Sequence, residues 1–475
     1  MTVREQPVPQ HDCLLLENAV TVHKFGGTSV GGPNQFRQVC GIIRRLLNGN
    51  RERPIVVLSA MAGITNKLYA SIQAATQGND YEKILMDILA IHVSCISELS
   101  SSFPQESQQL IDMIEKDISS IKNHLKIVAS ARHCPELISD VIAAYGEIWS
   151  CQILSALVRG SGITCTWVNA RDFLFLSPLS GKDVRVDWKR SHAPIMSSEM
   201  TVRIITGFLA TSAAGLPSTL KRNGSDHSAA IVANLCGVSM LTIWTDVDGI
   251  FSADPRMVQS AKLIGSMSYK EAAELAYFGA KVIHPQTMAP CVSKKIPVVL
   301  RNTFNLEAVG TLICAEPQVA SRAVTMISEV GLVNVEGSGL FGFSGIAAKL
   351  FASVAAADTN VIMITQASSE YSICFAVPIS DAVVCADAVN MTFQAEIDDG
   401  SIEVSLDTSA AIVAAVGDGM HQQLGLLGNL ATALGENTVN IRAVAQGSSE
   451  RNITFVVSKQ DGVKALSCLH NVLLL

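Results

Sequence analysis

The segment with the clearest chemical meaning is Lys24-Phe25-Gly26-Gly27-Thr28-Ser29, which lies between an apolar run and a helical pattern. Glycines let backbone N–H groups approach phosphate oxygens, the N-terminus of the following helix favours anions, and Lys24 supplies a compact positive charge. A tight turn with a solvated lysine is the alternative interpretation. The segment matches neither the Walker A motif nor the dinucleotide fingerprint. We predict that it binds the phosphate chain of a nucleotide.

A second polar cluster, Arg222-Asn223-Gly224-Ser225-Asp226, directly precedes another helical pattern. Ser225 or Asp226 could simply cap that helix, but a cap explains neither the arginine nor the glycine. An arginine guanidinium binds a carboxylate through two parallel hydrogen bonds. The cluster therefore predicts a carboxylate-binding site beside a metal ion or a phosphoryl donor.

Two further clusters follow along the chain. The segment from Thr245-Asp246 to Arg256 begins at the end of an apolar strand pattern, where open α/β sheets bind ligands; a polar turn is the alternative. In residues 278–285, Lys281 either contacts a nucleotide or ends a helix. A G-x-G-x-x-G match begins at Gly337, but its counterpart in a later repeat lacks the third glycine, so we do not interpret it as a dinucleotide site.

The elements that must position these clusters are strand–turn–helix units. The runs at 19–25 and 54–60 are apolar and β-branched without alternation, as expected of strands buried on both faces of a parallel sheet. Residues 80–160 have helical periodicity, and strand patterns return after them. We predict one α/β domain at 19–315, preceded by an N-terminal tail at 1–18.

The rest of the chain repeats itself at an offset of 80 residues. The identities that recur include Gly337 and Gly417, Leu350 and Leu430, Gln366 and Gln446, and Phe375 and Phe455. Each copy has the pattern of a βαββαβ unit of the ferredoxin-like kind. We predict two such domains, at 320–400 and 401–475, packed side by side with ligand sites between them; interleaving of the two is the alternative.

Composition limits the class of protein. At roughly 150 residues per domain, 475 residues suggest about three folded units. Charged residues make up only 16% and hydrophobic residues 48%, which requires a large apolar interior and excludes global disorder. The twelve cysteines contain no C-x-x-C pair, so we expect reduced, buried thiols rather than zinc ligands or disulfides.

Charge and hydropathy point to a small-molecule ligand. The net charge is −7 and no run of Lys or Arg is present, which argues against nucleic acid or an anionic membrane as a partner. The apolar stretches at 228–244 and 409–416 are too interrupted or short to span a bilayer. The first residues lack the apolar core of a secretory signal. We expect a cytoplasmic protein, or a plastid protein if a transit peptide has been removed.

These motifs resemble those of the aspartokinases, members of the amino-acid kinase family, from residue 20 to about 470. The segments that carry the resemblance are KFGGTSV (24–30), LSAMAGITN (58–66), NGSDHSAA (223–230), IWTDVDGIFSADPR (243–256) and YFGAKVIHP (277–285). The repeats resemble tandem ACT domains. The likeness is strongest to the kinase half of bifunctional aspartokinase–homoserine dehydrogenases, without the dehydrogenase. It implies an α/β fold with a three-layer α/β/α kinase domain followed by two ferredoxin-like ACT domains.

The resemblance implies transfer of the γ-phosphoryl group of ATP to the β-carboxylate of L-aspartate, with Mg²⁺, as the first step of the lysine, threonine and methionine pathway. A carboxylate with a pKa of about 4 is already ionised at neutral pH and needs no general base. Catalysis must therefore align two anions and neutralise their charge. The ACT domains imply feedback regulation by an amino acid and a homodimer or higher oligomer. Threonine inhibits the bifunctional relatives through glutamines like Gln366 and Gln446.

The resemblance assigns roles residue by residue. They are Lys24 and Asp226 for catalysis; Lys24, Gly26, Gly27, Thr245, Asp246, Phe251, Arg256 and Lys281 for ATP; Ser59, Thr65, Glu147, Arg222 and Ser225 for aspartate; and Gln366 and Gln446 for the effector. No residue is assigned to bind a metal directly.

The sequence departs from the family pattern at several positions. Phe251 stands where the family usually has tyrosine, Asn223 where it has glycine, and His227 where it has tyrosine or phenylalanine. In the repeats, Ser344 and Leu424 stand where proline is common. His227 leaves open a kinase of another amino acid or carboxylate, and Phe251 with the changed repeat turns leaves open a catalytically weak amino-acid sensor.

Overall fold

The structure is a computed structural model that describes residues 19–49, 53–179, 184–194, 201–221, 224–280, 285–317, 321–340, 345–366, 372–447 and 449–474. Arg222 and Lys281 lie outside these ranges. The chain divides into an N-terminal unit, Met1–Ile250 with Ile283–Pro317, and a C-terminal unit, Phe251–Val282 with Gln318–Leu475. The domain boundaries expected from the sequence stay predictions.

The strands are β1 (Val20–Phe25), β2 (Arg53–Leu58), β3 (Cys165–Val168), β4 (Leu176–Pro178), β5 (Val184–Val186), β6 (Val202–Thr206), β7 (Leu209–Thr211), β8 (Pro217–Thr219), β9 (Met240–Thr245), β10 (Ser266–Ser268), β11 (Val298–Asn302), β12 (Thr311–Cys314), β13 (Ala323–Glu336), β14 (Met363–Gln366), β15 (Ser372–Pro378), β16 (Glu403–Val416), β17 (Ala443–Gln446) and β18 (Asn452–Ser458).

The α-helices are α1 (Pro33–Gly49), α2 (Ile64–Gln77), α3 (Glu82–Leu99), α4 (Pro104–Ala131), α5 (Glu136–Ala143), α6 (Tyr145–Gly160), α7 (Gly224–Cys236), α8 (Tyr269–Tyr277), α9 (Pro285–Lys294), α10 (Ile346–Ala356), α11 (Ala382–Thr392), α12 (Gln394–Asp398), α13 (Leu426–Glu436) and α14 (Gly462–Leu474).

The N-terminal unit contains a largely parallel sheet. Seven of its strands are hydrogen-bonded in the order β12-β11-β9-β1-β2-β6-β3. Only β12 runs antiparallel to its neighbour among these strands. Helices α1 and α6 pack together against the sheet, and α7 packs on α9 and on β1 and β9. The predicted α/β fold class is confirmed. Because β1 pairs with both β2 and β9, Lys24 lies in the middle of the sheet near its carboxyl edge.

The predicted helical block forms α3 to α6 and shares a large apolar core with α1 and α2. Within the described residues, two helical segments, 82–102 and 136–160, are long and apolar enough to cross a membrane, judged by length and composition alone. The sequence interpretation overlooked both segments. The segment 136–160 is mostly buried and contributes Trp149 and Leu154 to this core, which accounts for its apolar composition. The segment 82–102 contributes Ile88 and Ile96 to the core but is less buried.

The C-terminal unit contains an antiparallel sheet of six strands in the order β14-β15-β13-β16-β18-β17. Its two long strands, β13 and β16, pair along their whole length, with an irregularity between Ile327 and Leu332. The first half of β13 pairs with the second half of β16, and the second half of β13 pairs with the first half of β16. Each long strand therefore contributes to both sequence repeats, so the repeats share one sheet. Each repeat has its own apolar cluster, around Phe375 in the first and Phe455 in the second.

The repeated glycines allow close backbone approaches. Gly337 directly follows β13 and has a φ of +139°, and a Cβ atom there would lie 2.1 Å from the carbonyl oxygen of Ser401. At the equivalent Gly417, a Cβ atom would lie 2.6 Å from the carbonyl oxygen of Ser321. The first glycine of the apparent G-x-G-x-x-G match thus has a structural reason that needs no dinucleotide.

We expect Gly337→Ala to lower the free energy of unfolding by about 1–3 kcal/mol, since the new methyl group meets a carbonyl and the backbone becomes strained. The matched control is Gly435→Ala in α13, where a Cβ atom meets nothing within 4 Å and alanine is the better helix former. Urea unfolding of the full chain should show a lower midpoint for Gly337→Ala only. Equal midpoints in both variants would contradict the close approach.

Candidate active site

A cavity of about 650 Å³ opens in the N-terminal unit and gathers most of the residues that the sequence assigned to the acceptor. Its described lining residues are Lys24, Gly27, Ser59, Ala60, Met61, Ala62, Gly63, Thr65, Asn66, Tyr69, Glu147, Phe208, Lys221, Gly224, Ser225 and Asp226. Ser59, Thr65, Glu147 and Ser225, all predicted for aspartate, lie together with the predicted catalytic pair.

The position of the cavity follows from the parallel sheet. Lys24 is on β1, and Ser59 directly follows β2, so both lie at the carboxyl edge of neighbouring strands. Thr65 is in the first turn of α2, and Asp226 is in the first turn of α7. The carboxyl edge of a parallel sheet collects such turns and helix N-termini, which makes it a common place for ligand sites.

An ion pair joins Lys24 and Asp226, with 2.7 Å between Nζ and Oδ1. Both side chains are mostly buried, at 11% and 21% exposed, so water screens this pair less than a surface pair. The N-terminal end of α7 also favours the carboxylate of Asp226. The ion pair therefore fixes the ammonium group of Lys24 in the lining of the cavity.

The glycines of the first motif keep space around this cation. A Cβ atom at Gly26 would lie 3.2 Å from Lys24 Nζ, and one at Gly27 would lie 3.1 Å from the carbonyl oxygen of Ala60. Side chains at either position would crowd the ammonium group or the neighbouring turn. Small residues are therefore required where a phosphate group would approach Lys24.

Glu147 forms a buried part of the wall. It lies in α6 and is only 3% exposed. Burial raises the pKa of Glu147 to about 8, although hydrogen bonds from the backbone N–H groups of Ala60 and of Glu147 itself oppose the rise. Its Oε2 atom has no hydrogen-bond partner among the described residues. A cationic group in the cavity would satisfy this oxygen and favour the ionised form.

The sequence did not single out Tyr69 or Lys221 as site residues. Tyr69 follows Thr65 by four residues on α2, and Lys221 directly precedes the cluster that begins at Arg222. Burial raises the pKa of Tyr69; the carboxyl groups of Asp140 and Glu147 add to the rise, and Lys221 opposes it. Tyr69, Glu147 and Lys221 all line the cavity, whereas Asp140 does not.

Thr245 and Asp246 lie at the carboxyl end of β9, next to β1, and are not among the cavity-lining residues. Thr245 Oγ1 donates a 3.2 Å hydrogen bond to Asp246 Oδ1. Asp248 accepts hydrogen bonds from Asn302 at 2.7 Å and from Asn305 at 3.1 Å. These residues lie at the carboxyl edge of the sheet beside β1, and the sequence analysis did not single out the two asparagines.

Two residues predicted to bind the nucleotide belong to the C-terminal unit. Phe251 forms a β-bridge with Leu263. The exposed guanidinium of Arg256 donates to both carboxylate oxygens of Asp254 and lowers the pKa of Asp254. Arg256 is thus ion-paired with Asp254, two residues before it in the chain. Its role in ATP binding, like that of Phe251, stays a prediction.

The predicted effector residues Gln366 and Gln446 end β14 and β17 and are both exposed. These strands occupy the two edges of the six-stranded sheet, yet they contact each other. The equivalent strands of the two repeats therefore lie close together. The role of the two glutamines in effector binding stays a prediction.

Two known protein families match most of the chain. A sequence model described as "Amino acid kinase family" matches residues 19–302, and an ACT domain model matches residues 333–393 and 413–473. Bifunctional aspartokinase/homoserine dehydrogenase 2 from Arabidopsis thaliana is 39% identical over 95% of this chain and 50% of its own length. The chain thus spans about half the length of this curated relative.

Two solved structures cover nearly the same length. E. coli aspartokinase III in complex with lysine and aspartate (T-state) has a TM-score of 0.76 and 27% identity, covering 96% of this chain and 99% of that one. The same enzyme in complex with aspartate and ADP (R-state) has a TM-score of 0.77 and 26% identity, covering 96% and 100%. The resemblance that the motifs predicted is confirmed, and the chain belongs to the amino acid kinase family.

Proposed function

We propose that this protein is an aspartate kinase, which transfers the γ-phosphoryl group of ATP to the β-carboxylate of L-aspartate and forms 4-phospho-L-aspartate. The observation that carries the proposal is one cavity that contains the Lys24–Asp226 ion pair and the buried Glu147. Relatives named for the aspartokinase reaction, and a solved relative with aspartate and ADP, support it. They do not favour the alternatives of another acceptor or an inactive sensor.

The cavity suits a small amino acid with two carboxylates. Glu147 would receive the ammonium group, because its unpartnered oxygen is the most deeply buried acceptor in the wall. Ser59, Thr65 and Ser225 would donate hydrogen bonds to carboxylate oxygens. The predicted contact of Arg222 with a carboxylate is part of the same proposal.

The chemistry requires positioning more than proton transfer, because the attacking carboxylate is already ionised. Its oxygen forms a bond to the γ-phosphorus as the bond to the β-phosphate oxygen breaks, and ADP leaves with that electron pair. Lys24 would neutralise charge on the phosphoryl oxygens. Asp226 would keep the lysine in place by the ion pair that already exists.

Mg²⁺ fits this site as a companion of ATP. Among the described residues, no group of three or more His, Cys, Asp or Glu could hold a metal ion by itself. Mg²⁺ in kinases is held by one or two carboxylates together with phosphate oxygens. Asp226 is the cavity carboxylate that would contribute, and the ion would neutralise phosphate charge.

The C-terminal unit would make the activity sensitive to an amino acid. Helix α8 is hydrogen-bonded to both repeats: Tyr277 donates to the carbonyl of Val361 before β14, and Glu274 accepts from Asn452 of β18. At its other end, Ser268 donates to Asp418, in the turn after β16. Binding between the repeats would therefore act on the helix that precedes the predicted nucleotide residue Lys281.

We expect Lys24→Ala to lower kcat by at least about 100-fold, as removal of a group that stabilises transition-state charge does. The assay traps the acyl phosphate with hydroxylamine in the presence of MgATP and L-aspartate. Lys459→Ala, which removes an exposed lysine from the C-terminal unit, should retain full activity. A folded Lys24→Ala protein with unchanged turnover would refute the role of this lysine.

We expect the KM for L-aspartate to fall as the pH rises from 6 towards 8. The reason is that Glu147, whose pKa is raised to about 8, must lose its proton to pair with the ammonium group. Well below that pKa, each pH unit should change KM by up to about tenfold. In Glu147→Gln the KM should be higher and nearly independent of pH. A KM that rises over this range in the parent protein would contradict the assignment.

Gln366→Ala and Gln446→Ala should each raise the threonine concentration that gives half-inhibition, while kcat without effector stays nearly unchanged. A side-chain amide both donates and accepts, which suits a zwitterionic ligand. Threonine should inhibit the parent protein better than lysine. Full inhibition retained in both variants would place the effector site elsewhere.

A further inference from the structure

We propose that Thr303 is a positioning residue for the nucleotide, which fixes the turn after β1 (residues 26–30, the β1 turn) against the turn after β9 (residues 245–249, the β9 turn). This inference deepens the proposed function, because it rests on ATP binding at these two turns. Thr303 directly follows β11 and is fully buried. It belongs to neither turn and joins them from a third segment of the chain.

The hydrogen bonds of Thr303 reach both turns. Its hydroxyl oxygen lies 2.6 Å from the hydroxyl oxygen of Ser29, in the β1 turn. Its backbone N–H donates to the carbonyl oxygen of Thr245, in the β9 turn, at 2.8 Å. The carbonyl oxygen of Thr303 accepts a hydrogen bond from Gln38 of α1 at 3.0 Å. All three polar groups of Thr303 are therefore used, and each fixes it against a different element.

The order of the strands shows what the hydrogen bond between Ser29 and Thr303 does. The strands lie in the order β11-β9-β1, so β11 and β1 are not neighbours. Strands two positions apart in a sheet are separated by about 9–10 Å. The contact therefore requires the chain after β1 and the chain after β11 to meet across the carboxyl end of β9. The predicted nucleotide residues Thr245 and Asp246 lie at that end.

The residues on either side of Thr303 fix the β9 turn from the same segment. Asn302 and Asn305 both donate to Asp248 Oδ1, at 2.7 and 3.1 Å. Asp248 belongs to the β9 turn, so its position depends on this segment. The hydrogen bond between Ser29 and Thr303 connects the same segment to the β1 turn.

A turn with two adjacent glycines needs such an anchor. Gly26 and Gly27 have no Cβ atom, so the β1 turn has access to more backbone conformations than other turns. Its N–H groups bind phosphate oxygens best when they are already oriented, because ordering a loop on binding costs free energy. Ser29 is fully buried, and a buried hydroxyl is costly without a hydrogen-bond partner. Thr303 supplies this partner and so fixes the turn in one conformation.

The test measures the Kd for MgADP by titration calorimetry, the melting temperature, and the KM values for ATP and L-aspartate in the hydroxylamine assay. The variants are Thr303→Val and Ser29→Ala, which each remove one hydroxyl, their double variant, and Thr303→Ser, which keeps the hydroxyl. The matched control is Thr454→Val. Thr454, in β18 of the C-terminal unit, is also buried, but its hydroxyl has no hydrogen-bond partner among the described residues.

We expect Thr303→Val and Ser29→Ala each to raise the Kd for MgADP and the KM for ATP by about 5- to 50-fold, as loss of a buried hydrogen bond does when one partner remains. The KM for L-aspartate should not change. Thr303→Ser and Thr454→Val should bind MgADP like the parent protein.

The double variant separates positioning from stability. It should melt closer to the parent protein than either single variant, because no buried hydroxyl is left without a partner. Its Kd for MgADP should stay as high as in the single variants, because the β1 turn is still not anchored.

Unchanged MgADP affinity in Thr303→Val would overturn the proposal. So would MgADP affinity that recovers together with the melting temperature in the double variant, since the hydrogen bond would then only stabilise the fold. If the double variant melts as low as the single variants, Thr303→Ser decides, and weak MgADP binding by that variant overturns the proposal.

Failure of the proposed function would give a different result. A parent protein that binds MgADP but forms no hydroxamate from L-aspartate refutes the aspartate kinase assignment, and the calorimetric comparison still supports or overturns the role of Thr303. A parent protein that does not bind MgADP refutes the nucleotide site and this proposal together.

Discussion

The ion pair between Lys24 and Asp226 is the interaction on which the candidate site depends. It connects the carboxyl end of β1, in the middle of the parallel sheet, to the first turn of α7. The small residues Gly26 and Gly27 leave the lysine accessible, since a side chain at either position would crowd it or the turn beside it. Without Asp226, a mostly buried lysine would lack its compensating charge.

The charges of the cavity suit a ligand with charges of both signs. Glu147 has a raised pKa because it is buried, so it is largely protonated near pH 7 in the absence of a cation. An incoming ammonium group favours the ionised form of Glu147. The carboxylate therefore forms, and pairs with the ammonium group, only when a ligand with such a group is present. Lys24 and Lys221 supply positive charge to the lining of the same cavity. Selection of an amino acid would therefore depend on a buried carboxyl group that ionises when the ligand binds.

Local motifs were sufficient to predict the parallel sheet and to single out several residues that line one cavity, because buried strands followed by glycine turns and helices place those turns at the same edge of the sheet. The signal for Tyr69 and Lys221 was weaker, since their positions depend on which face of α2 and which end of β8 meet the cavity. The sequence identified the repeat at an offset of 80, but not that β13 and β16 each contribute to both repeats. Strand sharing depends on tertiary pairing, which side-chain periodicity does not encode. The sequence interpretation predicted helices in the segments 82–102 and 136–160 but overlooked that both are long and apolar enough to cross a membrane.

The central claim is that phosphoryl transfer occurs to the β-carboxylate of L-aspartate, with the α-carboxylate bound elsewhere in the cavity. The most direct test is ³¹P NMR of the full chain with MgATP and L-aspartate that carries ¹³C either at the β-carboxyl or at the α-carboxyl carbon. The account predicts ADP and a new acyl-phosphate resonance that is split by ¹³C only with the β-carboxyl label. Splitting with the α-carboxyl label, or loss of ATP without an acyl-phosphate resonance, would contradict it.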